Sequence, residues 1–358
     1  MTTRRGFMAS LLAASTLPRL SWADAGSPAY LGAAKDASGA YALIGLDDSG
    51  QALFRIALPE RGHAATAHPS APEAVAFARR PGTFALVIDC ASGRLSHRLD
   101  APEGRHFYGH GVFVAEGNVL CTPENHIESG TGRIGLWSRP EGYRRIGEIE
   151  TGGIGPHDIL RLEGDVLAVA NGGIRTHPES GREKLNIATM RPSLTYLTPE
   201  GEILEEVVLD PDLHKNSIRH LAQGPDGTVA FAMQWQGDVM DPVPLLGLHR
   251  RGGRPRLLSA DLAEQLAMEG YAGSVAMSGD GRFAAITSPR GGRVHRFDTE
   301  SGACHVVRRS DVCGLAPAAE GFTATDGLGG VLRVTDGAEP LAAHEGLAWD
   351  NHLVPIHV

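Results

Sequence analysis

Cysteine and positive charge are both scarce in this sequence of 358 residues. Four cysteines are present, and no two of them have the C-x-x-C spacing of a dithiol site. Lys and Arg number 33 against 42 Asp and Glu, which gives a net charge of -9 at pH 7. Nucleic acids and anionic membranes require clustered positive charge, so this balance excludes both as main partners. Beyond the N-terminal segment, no stretch is long and apolar enough to span a bilayer.

The four cysteines leave two alternatives open. In an oxidising compartment Cys304 and Cys313 are a plausible disulfide pair across a connection between two strands. Buried free thiols are an equally good interpretation, because Cys90 and Cys121 lie within apolar runs that resemble strands.

The N-terminus has the pattern of an export signal. Arg4 and Arg5 form a twin-arginine core, an apolar stretch runs to Leu17, and Ala23-Asp24-Ala25 is a small-residue cleavage site. We therefore expect residues 1–25 to be a twin-arginine signal peptide and residues 26–358 to form one domain. The mature protein is then expected to be soluble and periplasmic, with no membrane attachment.

The most informative pattern is a short segment that recurs seven times: a turn residue, then a marker position, then a brief apolar strand. Five of the seven markers are histidine, although the whole chain holds only 16. In order, the markers are His63, His110, His157, His220, Ser274, Gly314 and His352. Successive markers lie 38 to 63 residues apart, by subtraction of their numbers.

Between markers the chain reads as short strands separated by turns, in keeping with 46 Gly and 22 Pro and no low-complexity tract. The unit of His110, for example, predicts strands at 112–114, 119–121, 134–137 and 145–149. Four strands in about 40 to 50 residues is the period of a propeller blade. The sequence therefore predicts an all-β, seven-bladed β-propeller.

The two ends of the chain indicate how the ring closes. Residues 351–356 form one strand without a blade, and the N-terminal strands at 29–32, 41–46 and 52–57 have no marker of their own. Together they complete a blade shared between the N- and C-termini, which removes the open sheet edge. An open sandwich or two separate β domains is the alternative, but neither accounts for this complementarity.

The first strand of each blade lines the central channel, so residues at equivalent positions converge on the axis. Imidazole is a common ligand of Fe, Cu, Zn and Ni, whereas Ca and Mg prefer oxygen. We therefore expect a metal site made by His63, His110, His157, His220 and His352. The markers Ser274 and Gly314 leave one arc open for water or substrate. The alternative is a polar channel that histidine fills without metal.

Further residues are candidates for supporting roles. Glu124, Asn171 and Gln234 end the second strands of three successive blades, where they are expected either to orient a ligand or to cap a turn. Insertions at 172–192 and 236–244 are lid candidates. The first carries Arg175, His177, Arg182 and Lys184, whose charge is expected to draw an anionic chelate to the site.

Several motifs carry a resemblance to a known family: Phe107–Gly111, Gly155–Asp158, Gly172–Pro178, Gly181–Asn186, Met190–Leu194, Ser217–Leu221 and Ser288–Gly292. They resemble an uncharacterised family of twin-arginine-exported bacterial seven-bladed β-propellers, over nearly the whole mature chain. Members are typically encoded beside imelysin-like iron-uptake proteins, so the resemblance implies iron. The ring is also similar in architecture to carotenoid-cleaving dioxygenases, with iron on four His, and to nitrous oxide reductase, with copper. Neither family's motifs are present, so their activities do not transfer.

Three functional hypotheses follow. The first is a periplasmic metal-binding propeller for iron acquisition or handling, with copper as the alternative metal. Its partners would be a metal ion or small metal chelate and, by the resemblance, periplasmic iron-uptake proteins. The second is a mononuclear iron or copper oxidoreductase that uses the same ring. The third is a protein-interaction propeller without metal.

Overall fold

The computed structural model describes residues 20–79, 82–181 and 183–356. The chain forms antiparallel sheets arranged as blades around one axis. The first 19 residues of the expected signal peptide, and Arg182 of the first insertion, lie outside the described residues. Within the described part of the chain, no helix is both long and apolar enough to cross a membrane.

The first three strands belong to a blade that the C-terminus completes: β1 (Tyr30–Asp36), β2 (Tyr41–Leu46) and β3 (Ala52–Leu58). Six blades follow along the chain. Blade 1 consists of β4 (Gly62–Ala67), β5 (Glu73–Ala78), β6 (Phe84–Asp89) and β7 (Arg94–Asp100). Blade 2 consists of β8 (Arg105–Phe107), β9 (Val112–Val114), β10 (Val119–His126), β11 (Thr131–Ser138) and β12 (Arg144–Ile154).

Blades 3 and 4 carry the two insertions. Blade 3 consists of β13 (Pro156–Arg161), β14 (Leu167–Asn171), β15 (Ser193–Leu197) and β16 (Ile203–Val208). Blade 4 consists of β17 (Asn216–Gln223), β18 (Val229–Trp235), β19 (Leu246–His249) and β20 (Arg256–Leu258).

The last two complete blades are regular. Blade 5 consists of β21 (Ser274–Met277), β22 (Phe283–Ser288), β23 (Arg293–Asp298) and β24 (Cys304–Arg308). Blade 6 consists of β25 (Val312–Pro317), β26 (Phe322–Asp326), β27 (Gly330–Val334) and β28 (Ala338–Ala343).

Blade 7 closes the ring as predicted. Strand β29 (Leu347–Pro355) pairs antiparallel with β1, with Tyr30 opposite Pro355, and forms the inner strand of that sheet. The strand begins at Leu347, four residues earlier than the sequence indicated. The prediction of a seven-bladed propeller with a blade shared between the termini is therefore confirmed.

Within the described residues, helices are few and short. One α-helix there, α1 (Leu262–Leu266), follows Asp261, whose side chain accepts a hydrogen bond from the Glu264 N–H. Turns of 3-10 helix occur at Trp22–Ala25, Glu163–Asp165, Pro178–Ser180, Ile187–Thr189 and Pro211–Leu213.

The core lies between the blades rather than within any one of them. Leu167 and Val169 of blade 3, for example, pack against Cys121 and Ile134 of blade 2. The outer strands are exposed on most positions, as β7 shows. Because each blade buries both faces against its neighbours, no blade is expected to be stable alone. All four cysteines are free thiols in this structure.

The described end of the N-terminal segment packs on this core. Trp22 is buried, and its Nε1–H donates a hydrogen bond to the carbonyl oxygen of His68 at 2.9 Å. Cleavage at the site expected after Ala25 would remove this buried side chain and its contact.

Removal of residues 349–358 tests the closure of the ring. It deletes most of β29 and leaves the edge of β1 unpaired, so cooperative unfolding of the whole domain at ambient temperature is expected. Removal of residues 1–19 is the control, because it takes away no described strand. Circular dichroism melting checks both. A C-terminal truncation that melts like the full chain would show that closure does not depend on β29.

Candidate metal centre

Strand irregularities position the marker residues. Each blade is radial, so a regular inner strand directs its side chains at the two neighbouring blades rather than at the axis. The pairing of inner and second strands shifts between Gly62 and Ala65, between Pro156 and Asp158, and between Ile218 and His220. A β-bulge of this kind re-aims a side chain. The three histidines in blades 1, 3 and 4 lie within or directly beside these bulges.

In blades 2 and 7 the inner strand is more irregular, and its histidine is again directed at the axis. In blade 2 the inner strand is interrupted, and His110 lies in the gap between β8 and β9, which both pair with β10. In blade 7 the pairing with β1 shifts between Trp349 and Leu353, which places His352 in the irregular part. The inner strand of blade 5, with Ser274 as its marker, pairs without a shift. All five marker histidines therefore sit at irregular points of their strands.

The five imidazoles meet on the axis. Ring centroids of neighbouring pairs lie 4.7 to 5.6 Å apart, from His63–His352 and His157–His220 at 4.7 Å to His110–His220 at 5.6 Å. Two sets of three have nitrogen atoms within 4.8 Å of one another: His63, His110 and His352, and His110, His157 and His220. His110 belongs to both sets, so the two form one continuous cluster.

Each of the five rings has one buried nitrogen atom without a hydrogen-bond partner. These atoms are Nδ1 of His63, His157 and His220, and Nε2 of His110 and His352. A buried polar atom left unpaired costs about 1–3 kcal/mol. Five such atoms lie on rings that converge on the axis. A metal ion accepts the lone pairs of several imidazoles at once, so these residues fit a transition metal.

Asp158 fixes one of these imidazoles. His110 Nδ1 lies 3.0 Å from Asp158 Oδ1, and this carboxylate also accepts hydrogen bonds from the Ile159 N–H at 2.8 Å and the Leu221 N–H at 3.0 Å. An imidazole that donates its Nδ1–H to a carboxylate presents an unprotonated Nε2 to a metal. The sequence argument missed Asp158; its one signal was an acidic residue directly after a marker histidine.

The electrostatics of Asp158 agree with this role. Burial raises the pKa of the Asp158 carboxyl, but the contact with His110 and the hydrogen bond from the Leu221 N–H outweigh it, so the pKa is lowered overall. Asp158 is therefore a carboxylate at neutral pH.

Burial also keeps four of the ring imidazoles neutral. It lowers the pKa of His63, His157 and His220 well below the usual value, and lowers that of His352 to about 3. Repulsion among the ring members adds to this, as does the positive charge of Arg79 near His63 and of Arg219 near His157. Neutral imidazole is the form that binds metal.

An open cavity of about 950 Å³ leads from one face of the propeller to the ring. His110, His220, His352 and Asp158 line its floor, and its walls come from inner-strand residues that follow the markers. We call this space the axial cavity.

Two glycines bring backbone close to the ring. Gly109 has φ +98°, and a Cβ there would lie 2.3 Å from Cδ2 of His63, so only glycine leaves room for that imidazole. At Gly314 a Cβ would lie 2.5 Å from Oγ1 of Thr325 and 3.0 Å from the backbone N of Leu353. Gly314 therefore packs closely against Thr325 and Leu353, and Ser274 lines the axial cavity.

The three second-strand candidates form bonds within their own blades or to neighbouring blades and segments. Glu124 is fully buried and pairs with Arg145 at 2.7 Å. Asn171 Nδ2 donates to the Thr151 carbonyl oxygen at 3.1 Å and to Thr195 Oγ1 at 3.0 Å. Gln234 Nε2 donates to the Ala272 carbonyl oxygen of the neighbouring segment at 3.1 Å. None of the three lines the axial cavity, and these bonds give each a structural role.

The first insertion lies at the opposite end of the axis from the axial cavity. Strand β14 ends at Asn171, which pairs with Pro156 at the start of β13, so the chain leaves blade 3 where the inner strands begin. Arg175 donates to the Glu128 carbonyl oxygen at 3.0 Å, and Lys184 to Gln236 Oε1 of the second insertion at 2.5 Å. His177 Nδ1 accepts from the Glu179 N–H at 3.3 Å. No described residue of this insertion lines the cavity.

Fold and site together define a β-propeller whose axis carries a cluster of histidines. The chain belongs to the DUF1513 family, described as "Protein of unknown function (DUF1513)", which it matches over residues 56–356. The comparison with curated proteins found no match.

Solved structures share the fold at low sequence identity. The chain is similar to hydrazine synthase of Kuenenia stuttgartiensis, at 14% identity over 74% of this chain and 75% of that one, with a TM-score of 0.55. It is also similar to a streptogramin B lyase, at 13% identity over 84% and 91% of the two chains, with a TM-score of 0.55. Likeness at this level of identity concerns the fold alone.

Asp158→Asn tests the carboxylate beside His110. The substitution removes the charge that holds the Nδ1–H, so metal affinity is expected to fall about 10- to 100-fold. Asp350→Asn is the control, because Asp350 is equally buried on β29 but its carboxylate pairs with Arg61 at 2.7 Å. Competition titrations against a chelator of known affinity measure both. Equal losses of metal affinity in the two variants would mean that negative charge near the ring, and not the contact of Asp158 with His110, supports metal binding.

The lowered pKa values predict how the stability of the metal-free protein changes with pH. As pH falls below about 6.5, the histidines of the unfolded chain become protonated, whereas the four ring imidazoles with a lowered pKa stay neutral in the folded protein. The free energy of unfolding should therefore decrease, by up to about 1.4 kcal/mol per pH unit for each such imidazole. Urea titrations between about pH 7 and pH 5 check this. His352→Gln should reduce the slope, and an unchanged slope would contradict the assignment.

Proposed function

We propose that this protein binds a transition-metal ion on the propeller axis, with iron the favoured metal and copper the alternative. The observation that carries the proposal is the cluster of five buried imidazole nitrogens that have no hydrogen-bond partner. The two sets of three histidines supply enough nitrogen ligands for one ion, and Asp158 supports His110 behind them. These residues offer no oxygen-rich cage of the kind Ca or Mg requires.

The biological setting proposed for this site is iron acquisition or handling in the periplasm. The support is the twin-arginine motif at Arg4 and Arg5, together with the resemblance to propellers encoded beside iron-uptake proteins. The cargo would be a metal ion or a small metal chelate that is exchanged with such a partner.

The affinity of a nitrogen site in vitro does not decide between iron and copper. Nitrogen sites bind Cu(II) more tightly than Fe(II) in vitro, because affinities follow the Irving–Williams order. Selectivity in the cell is set by metal availability and by the geometry of the site. The metal must therefore be identified in protein that is purified from its own compartment without added metal.

Replacement of His110 and His157 by Ala tests the site itself. His110 belongs to both sets of three and His157 to one, so the double variant should lose stoichiometric metal. The fold should survive, since both residues face the axis and not the packed layers between blades. Elemental analysis by mass spectrometry gives the metal content, and circular dichroism reports the fold.

The control for this experiment replaces His97 and His305 by Ala. Both are exposed on outermost strands, so the protein loses the same number of imidazoles while the ring is kept. Metal content should match the unmodified protein. If the ring variant retains as much metal as this control, the proposed function is wrong.

The axial cavity favours a second candidate function, a mononuclear iron or copper oxidoreductase. A binding protein needs only an exchange path, whereas an enzyme needs space for a substrate beside the ion, and a cavity of about 950 Å³ opens on the ring. A redox-active spectrum that responds to a small substrate would favour the enzyme over the metal-handling protein.

A further inference from the structure

The size and position of the axial cavity suit a small organic molecule. At about 950 Å³ it lies at the upper end of the range for pockets that hold drug-sized ligands. Every blade contributes to its wall, through Ala65, Val112, Leu160, Ala222, Val275, Leu315 and Val354 in chain order. Since seven separate sheets build the wall, the space is a constant feature of the closed ring.

The wall side chains are mostly small and apolar. Ala65, Val112, Leu160, Ala222 and Val354 are all partly exposed where the inner strands pass the cavity. The inner strand is the edge strand of each blade, so its free backbone edge adds neutral donors and acceptors. An apolar group that covers such side chains gains about 25 cal/mol per Å² removed from water. The wall therefore favours an uncharged, largely apolar body with few hydrogen-bonding groups.

The charged side chains of the cavity already have partners. Among the described residues that line it, Asp158 and Arg161 alone carry a formal charge. Asp158 is engaged by His110 and two backbone N–H groups, and Arg161 pairs with Asp165. A carboxylate in the body of a ligand would meet no uncompensated cation on the walls, and burial of an unpaired charge is costly.

The floor of the cavity is different from its walls. It is lined by His110, His220 and His352, which each hold one buried nitrogen atom without a hydrogen-bond partner. A ligand that fills the cavity would thus bring one end to the ring and to the ion that the ring is proposed to hold.

We propose that the axial cavity binds a small organic molecule with an uncharged apolar body and one nitrogen or oxygen donor directed at the ring metal. The donor part rests on the proposed metal site. The apolar part rests on the walls alone and holds for the metal-free protein as well.

A series of N-alkylimidazoles tests the apolar body. Imidazole, N-methyl-, N-propyl- and N-hexylimidazole present the same donor with a growing chain, so affinity should rise about fourfold for each methylene that the walls cover. Calorimetric titration measures binding to metal-loaded and to metal-free protein. A series that is flat in both forms would overturn the proposal.

A matched pair of probes tests the absence of charge on the body. Imidazole N-propionate has the length of N-propylimidazole but ends in a carboxylate, so it should bind at least tenfold more weakly. Equal or tighter binding of the propionate would overturn the assignment of an uncharged body and would favour an anionic ligand.

A variant locates the binding. Ala222→Phe should fill part of the cavity and abolish the rise of affinity with chain length, while Ala343→Phe, exposed on the outermost strand of blade 6, should leave it unchanged. A rise that persists in a folded Ala222→Phe protein would overturn the placement in this cavity. If that variant does not fold, Val112→Phe in blade 2 replaces it.

The same measurements separate this proposal from the metal site. Elemental analysis of the unmodified protein reports the metal independently of any organic probe. Rising affinity with chain length in a protein that holds no metal would support the cavity and refute the proposed function. Stoichiometric metal, together with an affinity that does not change with chain length, would support the proposed function and refute the proposed ligand of the cavity.

Discussion

The constraint on which the centre of this molecule depends is the cost of five buried imidazole nitrogens without partners. At about 1–3 kcal/mol each, they would together cost about 5–15 kcal/mol, which equals the whole net stability of an ordinary domain. The buried apolar layers between all seven pairs of neighbouring blades stabilise the closed ring against this cost. The cost would fall if one ion accepted these lone pairs, so metal binding and stability are coupled.

The convergence of these rings is a product of irregular strands. A propeller with regular inner strands would expose only backbone edges to its axis, and its side chains would pack between blades. The bulges next to His63, His157 and His220, and the interruption at His110, turn the side chains inward. Asp158 then uses the neighbouring blade's backbone N–H to stay in place while it holds His110. The irregularities of the inner strands therefore place the side chains of the site.

Much of the fold could be predicted from the sequence because blade repeats are local patterns. The strands expected in the unit of His110 match β9 to β12, and the shared blade follows from strands left over at each end. The extra strand β8 was missed, since its three residues carry no alternation. The earlier start of β29 was missed because Leu347–Asp350 precedes the marker, where the repeat gave no signal.

Of the candidate site, the sequence predicted the five histidines but not the residues that contact them. A repeated marker identifies residues that share a position, so the five histidines could be grouped from the sequence. Whether a residue such as Asp158 contacts the ring depends on the direction in which a bulge turns its side chain and on contacts between blades. Neither produces a repeated pattern in the sequence. The side of the ring on which the insertion lies, and the apolar axial cavity opposite it, likewise follow from strand direction in three dimensions.

X-ray absorption spectroscopy at the metal edge, on protein purified from its own compartment, tests the central claim most directly. The account predicts stoichiometric metal in a shell of nitrogen ligands, with the multiple-scattering pattern of several imidazoles. A shell dominated by sulfur or oxygen, or protein that contains no metal, would contradict it.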